Sequence, residues 1–199
     1  MSYSLRTIAV FCGSADNLAP EYYEAARATG ELLAQRGIRL VYGAGRTGMM
    51  GALARGCLEA GGEVTGIVPK GLDSPQLIYT QGLTQLITVE NIQIRKARMN
   101  ELSDAYIALP GGFGTLDELS EVLTWSQIGL HRKPAALLNV NGYYDHLLEW
   151  IERAHQDHYI YEEHLQLFVV DNTPEGLLEK LANYRFPDKI ERWLDREEK

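Results

Sequence analysis

Leu109-Pro110-Gly111-Gly112-Phe113-Gly114-Thr115-Leu116-Asp117-Glu118 is the stretch whose reading decides the fold. The apolar run 105–109 leads into it and an amphipathic run, 119–130, leads out, so it reads as strand, glycine turn, helix. Pro110 has no N–H to give to a sheet ladder. Three glycines in four positions permit positive φ and let a ligand approach bare backbone. Thr115, with Glu118 three residues on, has the spacing of a capping box. A helix start presents unpaired N–H groups and the positive end of a dipole, so the turn is a candidate phosphate site with Glu118 facing the ligand.

The same alternation extends in both directions. Apolar runs at 7–12, 39–42, 63–68, 105–109, 134–138 and 166–170 read as strands, with a further short one possible at 83–89. Helices are expected at 20–36, at 49–60, at 92–102 with Asn91 as its cap, after the glycine turn, at 143–157 and from Pro174. The charged end, 186–199, reads as a solvated helix with Ile190, Trp193 and Leu194 on one face. Strands alternating with helices imply an α/β fold: one mostly parallel sheet, covered by helices on both faces. No linker divides the chain, so one domain over 1–199 is expected. Ligands in such folds bind beyond the carboxyl ends of the strands. That rule gathers Gly13-Ser14, Gly43 to Gly48, and Gly111 to Thr115 at one edge.

The bulk numbers narrow the function classes. The chain has 199 residues, 45% hydrophobic and 23% charged, as in ordinary globular proteins. Nineteen basic against 27 acidic residues give a net charge of −8, which argues against broad nucleic-acid binding. It does not argue against one small anion held by local donors. Cys12 and Cys57 are too few for a disulfide framework and read as free thiols in a reducing cytoplasm. No apolar run approaches a membrane span and no leader pattern opens the chain, so neither membrane nor secretion is expected.

Gly43-Ala44-Gly45-Arg46-Thr47-Gly48 matches the glycine fingerprint of dinucleotide sites. It follows the second strand rather than the first, and the expected acidic residue is missing from 64–68. A phosphate or ribose contact fits this loop better than NAD or FAD; a tight turn packing helix on strand would also explain it. In Arg95-Lys96-Ala97-Arg98-Met99, Arg95 and Arg98 are three apart and share a helix face. Arginine's rigid fork of donors suits phosphate and sugar oxygens. Glu118 and Glu121 share a face of the next helix, with Thr124 near it. Ser14 lies outside any nucleophile-elbow pattern and reads as a ligand-binding hydroxyl. His155 and His158 lack a third ligand at metal spacing, so no metal is expected.

The P-G-G-x-G-T-x-x-E pattern of Pro110 to Glu118 resembles the signature of the Lonely Guy family, cytokinin riboside 5′-monophosphate phosphoribohydrolases often labelled lysine decarboxylases. Arg95-Lys96-Ala97-Arg98-Met99 is similar to the family's R-K-x-x-M segment, and Gly13-Ser14 and 42–51 to its first two loops. The likeness runs from about Ile8 to Val170. It implies a Rossmann-like three-layer sandwich, a homodimer, no cofactor, and hydrolysis of a nucleoside 5′-monophosphate to free base and ribose 5-phosphate. By resemblance the catalytic pair is Arg95 and Glu118. Substrate contacts are expected from Ser14, Gly45, Lys96, Gly112, Phe113, Gly114, Thr115, Glu121 and Thr124. Arg98 lies outside the strict R-K pattern. Gln76 stands where relatives often carry an acidic residue, and Ala44 where many carry glycine. No lysine is marked for pyridoxal phosphate, so the decarboxylase label has no counterpart in the residues. The alternative is a non-catalytic nucleotide binder or a molybdenum-cofactor carrier. A pure binder needs no carboxylate near a phosphate, so Glu118 with Arg95 favours the enzyme.

Overall fold

The computed structural model of the chain describes residues 5–188 and 190. The strands are β1 (Thr7–Phe11), β2 (Arg39–Tyr42), β3 (Val64–Pro69), β4 (Gln85–Val89), β5 (Ala105–Ala108), β6 (Ala135–Leu138) and β7 (Phe168–Asp171). The helices are α1 (Pro20–Gln35), α2 (Gly48–Glu59), α3 (Ile92–Leu102), α4 (Phe113–Gln127), α5 (Asp145–Gln156) and α6 (Pro174–Ala182). The strands form one seven-stranded sheet in the order β4-β3-β2-β1-β5-β6-β7. Every adjacent pair is parallel. The short strand expected at 83–89 is therefore real and forms one edge.

Burial explains why the central strands are nearly pure hydrophobe. β1, β3, β5 and β6 are buried at every position, because helices cover both faces. On one face Ile8, Val10, Leu40 and Ile107 pack with Ala26 and Leu33 of α1, Leu53 and Cys57 of α2, and Leu177 and Leu181 of α6. On the other, Ala9, Phe11 and Tyr106 pack with Met99 of α3 and Val122 of α4. Leu137 packs there with Leu119 of α4, Tyr144, and Leu147 and Leu148 beside it. The chain after β1 crosses to β2 on one side of the sheet, and β5 pairs with β1 on the other side. The order thus reverses at the β1/β5 gap, the place where open α/β sheets bind ligands.

Three boundaries differ from the sequence reading. Residues 143–144 are not yet in α5: a 3-10 turn over Val140–Gly142 comes first, with Asn141 at φ 51° and Gly142 at φ 72°. Asn139 Oδ1 accepts the Tyr144 N–H at 2.7 Å and holds that turn. A second 3-10 turn, Glu162–Gln166, occupies the start expected for the last strand. In the charged tail, 186–188 are not helical, and the rest of the expected helix, with Trp193 and Leu194, lies outside the described residues. No described helix is long and apolar enough to cross a membrane.

Gly30 and Gly56 set how closely α1 and α2 pack. A Cβ on Gly30 would stand 2.2 Å from the Leu53 carbonyl oxygen, and one on Gly56 2.2 Å from that of Arg27. Alanine would gain up to about 1 kcal/mol of helix propensity at either site. Overpacking against backbone costs roughly 1–3 kcal/mol and outweighs it. Gly30→Ala and Gly56→Ala are each expected to lower the urea midpoint with m unchanged; a rise in either midpoint would refute this packing.

Candidate active site

The three glycine turns meet at the carboxyl edge of the sheet, as the alternation predicts. The Gly13 N–H donates to Pro110 O at 3.0 Å, and the Met50 N–H to Gly13 O at 3.1 Å. Thr47 Oγ1 donates to Ser14 O at 2.7 Å, so Ser14 joins the turns through its backbone. Gly45 bridges to Ile78, and a Cβ there would collide with Met50 Sδ at 2.7 Å. Two consecutive tyrosines, which the sequence reading did not single out, fasten the decisive stretch. Tyr143 Oη donates to Gly111 O and Tyr144 Oη to Leu109 O, each at 2.6 Å.

The capping box does not form. The N-cap of α4 is Gly112, not Thr115, and no side chain caps the helix. Thr115 lies inside the first turn and is buried, with its hydroxyl tucked against Gly111: a Cβ on Gly111 would stand 2.1 Å from Thr115 Oγ1. Nor do Gly111, Gly112 or Gly114 take positive φ. Gly111 is required for packing. A Cβ on Gly112 or Gly114 would meet nothing within 4 Å, so both border open space. The first bond of the helix runs from the Leu116 N–H to Gly112 O at 3.1 Å. The amides of Phe113, Gly114 and Thr115 precede it and have no helical partners. Phe113 itself is 93% exposed.

Freed from the cap, Glu118 turns to α3. Its carboxylate pairs with the Arg95 Nη2, and the two side chains are only 8% and 14% exposed. Arg95 also lies over Gly43, where a Cβ would come 3.1 Å from its Nη1. Its Nε is buried without a partner among the described residues. An orphaned donor of that kind costs about 1–3 kcal/mol. Next to this pair, Lys96 Nζ reaches Asp117 Oδ2 at 2.9 Å and Glu121 Oε2 at 3.3 Å. Asp117 was missed in the sequence although it sits inside the quoted stretch. Arg98 is not part of this group and pairs with Glu101 in solvent. Thr124 is not brought to the ion pair. It lines an apolar groove of about 580 Å³ between α4 and α5, with Leu123, Leu147 and Trp150.

Burial pushes the Glu118 carboxyl up from its ordinary range, and the Arg95 guanidinium opposes that rise. Burial, then the Glu118 charge, pushes the Cys12 thiol up, and burial takes Cys57 up to about 11, so both thiols stay neutral. His155 Nδ1 sits 3.0 Å from Ile160 O, and no group of three or more His, Cys, Asp or Glu among the described residues is placed to hold a metal.

The architecture defines a Rossmann-like class of three-layer α/β protein, and comparison with known proteins gives the family. Residues 50–181 match the family described as "Possible lysine decarboxylase". The chain is 44% identical over 179 residues to "Probable cytokinin riboside 5′-monophosphate phosphoribohydrolase LOGL6" of Oryza sativa subsp. japonica, covering 90% of this chain and 71% of that one. It is 43% identical to "Cytokinin riboside 5′-monophosphate phosphoribohydrolase LOG2" of Arabidopsis thaliana, covering 90% and 84%. The chain belongs to this Lonely Guy family. Among solved structures, the molybdenum cofactor binding protein of Rippkaea orientalis superposes with TM-score 0.68 at 23% identity, over 92% of this chain and 98% of that one. That likeness is one of fold, Rossmann-like and three-layered.

Removing Arg95 takes away the charge that holds the Glu118 proton affinity down. In Arg95→Gln the Glu118 carboxyl is expected to titrate at higher pH than in the wild type, followed by carbon NMR of labelled glutamate. An unmoved titration would mean that the pair is not coupled.

Proposed function

We propose that the chain hydrolyses the N-glycosidic bond of nucleoside 5′-monophosphates, cytokinin ribotides or AMP, releasing free base and ribose 5-phosphate. The observation that carries this reading is a buried Arg95–Glu118 pair beside an uncapped helix start with open space before it. The amides of Phe113 to Thr115 hold the 5′-phosphate at the positive end of α4. Cleavage builds positive charge on the ribosyl ring, an oxocarbenium-like state. Ionised Glu118 stabilises that charge and takes a proton from the water that adds to C1′ as the C1′–N bond breaks. Arg95 keeps Glu118 ionised against its burial and offers its donors to the ribose or phosphate. Lys96, held by Asp117 and Glu121, adds a second positive charge nearby. Ser14 and Gly45 line the neighbouring turns, and no step calls for a cofactor.

The relatives' names support this substrate class, since the proteins in rice and Arabidopsis that share over 40% of the sequence are named for it. The chain works as one domain in the cytoplasm, where its buried thiols stay reduced. We further propose a homodimer through the α4–α5 groove. Trp150 is 62% and Tyr159 82% exposed there, beside exposed Leu116, and such apolar surface on a charged protein marks an interface. Thr124 then belongs to that interface.

Incubating purified protein with AMP and with isopentenyladenosine monophosphate is expected to release free base from at least one of them. No release would overturn the hydrolase reading. Glu118→Gln should fold and lose about 10²- to 10⁴-fold in rate. Full activity in that variant would move the role to Glu121. Adenosine should be a poor substrate, because it lacks the group that α4 holds; turnover equal to that of AMP would refute the phosphate placement. Trp150→Glu should shift the protein to half its mass in light scattering, and an unchanged mass would exclude this dimer face.

A further inference from the structure

The Gly43–Gly48 loop carries an arginine that the hydrolysis does not use. Arg46 lines a second cleft, about 260 Å³, together with Arg55, Ile78, Tyr79, Thr80 and Gln81; neither Arg95 nor Glu118 belongs to it. One wall is the loop and the interior of α2, and the other is the segment between β3 and β4. Backbone bonds join them: the Arg46 N–H donates to Leu77 O at 3.1 Å and the Tyr79 N–H to Ala44 O at 2.8 Å. Gly45 and Ile78 form the antiparallel bridge between these bonds. The backbone of the wall is therefore fixed, and it carries the exposed side chains of Arg46, Arg55, Thr80 and Gln81.

Several of the chain's arginines (Arg27, Arg39, Arg95, Arg98 and Arg153) have a carboxylate within ion-pair distance. Among the described residues the two arginines of the cleft have none. There the Arg46 head group donates to the Pro75 carbonyl, 3.0 Å from Nη1, which aims the fork and leaves its charge uncompensated. Arg55 lies over Gly51, where a Cβ would stand 3.1 Å from its Nη1 and 2.1 Å from the Arg46 carbonyl oxygen. The missing side chain at 51 thus lets Arg55 fold against the loop. In a chain of net charge −8, two uncompensated arginines in one concave polar wall make a local positive field. The Thr80 hydroxyl and Gln81 amide add neutral donors. Guanidinium forks in that setting suit the oxygens of a phosphate better than a single carboxylate.

We propose that this cleft is a second anion site, taking a phosphoryl group either as free phosphate or on a small phosphate monoester. Its occupant would clamp 74–81 onto the loop whose Gly43 backs Arg95. The proposal does not depend on the hydrolase reading, since it concerns other residues and needs no turnover.

The test follows the side-chain Nε–Hε signals of Arg46 and Arg55 by nitrogen NMR in the whole chain, each assigned by its Arg→Lys variant. Inorganic phosphate and ribose 5-phosphate are titrated separately. Both arginine signals are expected to move along one saturating curve with at least one of the two. In Arg55→Ala the Arg46 curve should shift to about tenfold higher concentration or more, the worth of one charge-assisted contact. Saturation at lower ribose 5-phosphate than phosphate assigns the site to a monoester, and the reverse order assigns it to the free ion. Unmoved signals, a linear response without saturation, or an Arg46 curve indifferent to Arg55→Ala would each overturn the proposal. Arg55 lines this cleft and not the α4 turn, so an Arg46 curve that depends on Arg55 reports this cleft whether or not the α4 turn is also occupied.

Discussion

A charge withdrawn from water must have a partner, and the carboxyl edge of this sheet is arranged around one such pair. Breaking a buried ion pair from one side costs about 3–5 kcal/mol, because the other charge is left behind. Arg95 and Glu118 therefore tie α3 to α4, since neither charge can be left without the other. The demand spreads outward. A Cβ at position 43 would press on the Arg95 Nη1 at 3.1 Å and on the end of Met50 at 2.8 Å, so glycine there lets both side chains lie close over the turn. Lys96 with Asp117 and Glu121 repeats the link one residue along. Tyr143 and Tyr144 hold the carbonyls of the glycine stretch from the far side, so α4 starts at a fixed place relative to the pair.

The sheet order explains why those parts can meet. β1 and β5 are neighbours whose following helices lie on opposite faces, so their turns face each other across an open gap. A helix start pointing into that gap supplies donors for an anion. A carboxylate one and a half turns further along the same helix would then stand beside that anion instead of on top of it. In the proposed reading phosphate binding falls to the backbone and positive-charge stabilisation to the side chain, so the two can coexist there.

Much of this was legible in the residues. The fully buried strands announced themselves as nearly continuous apolar runs, and the Asn91 cap and the helix start at Pro174 form as read. The pairing of Arg95 with Glu118 was implied by the family resemblance and not by spacing, and the two do form an ion pair. The capping box misled because Thr115 and Glu118 have a local explanation at the right spacing. Sequence spacing does not reveal that extended Gly112 starts the helix three residues earlier. Reading the glycines as a source of positive φ misled for a similar reason: Gly111 answers to a steric contact with Thr115 from one turn away. The tyrosine bolts depend on long-range packing of a later loop, and only the Asn-Gly turn before them hinted at a fixed geometry. Thr124 shared the helix but not the face, since six residues carry it round toward α5.

The account stands on one spatial relation: phosphate on the amides that open α4, and the ribosyl carbon at Glu118. A crystal structure of Glu118→Gln with AMP bound tests it most directly. The account predicts the phosphate within hydrogen-bond reach of the Phe113, Gly114 and Thr115 amides, with C1′ facing the residue 118 side chain. A nucleotide whose phosphate lies elsewhere, or whose C1′ points away from residue 118, would contradict it.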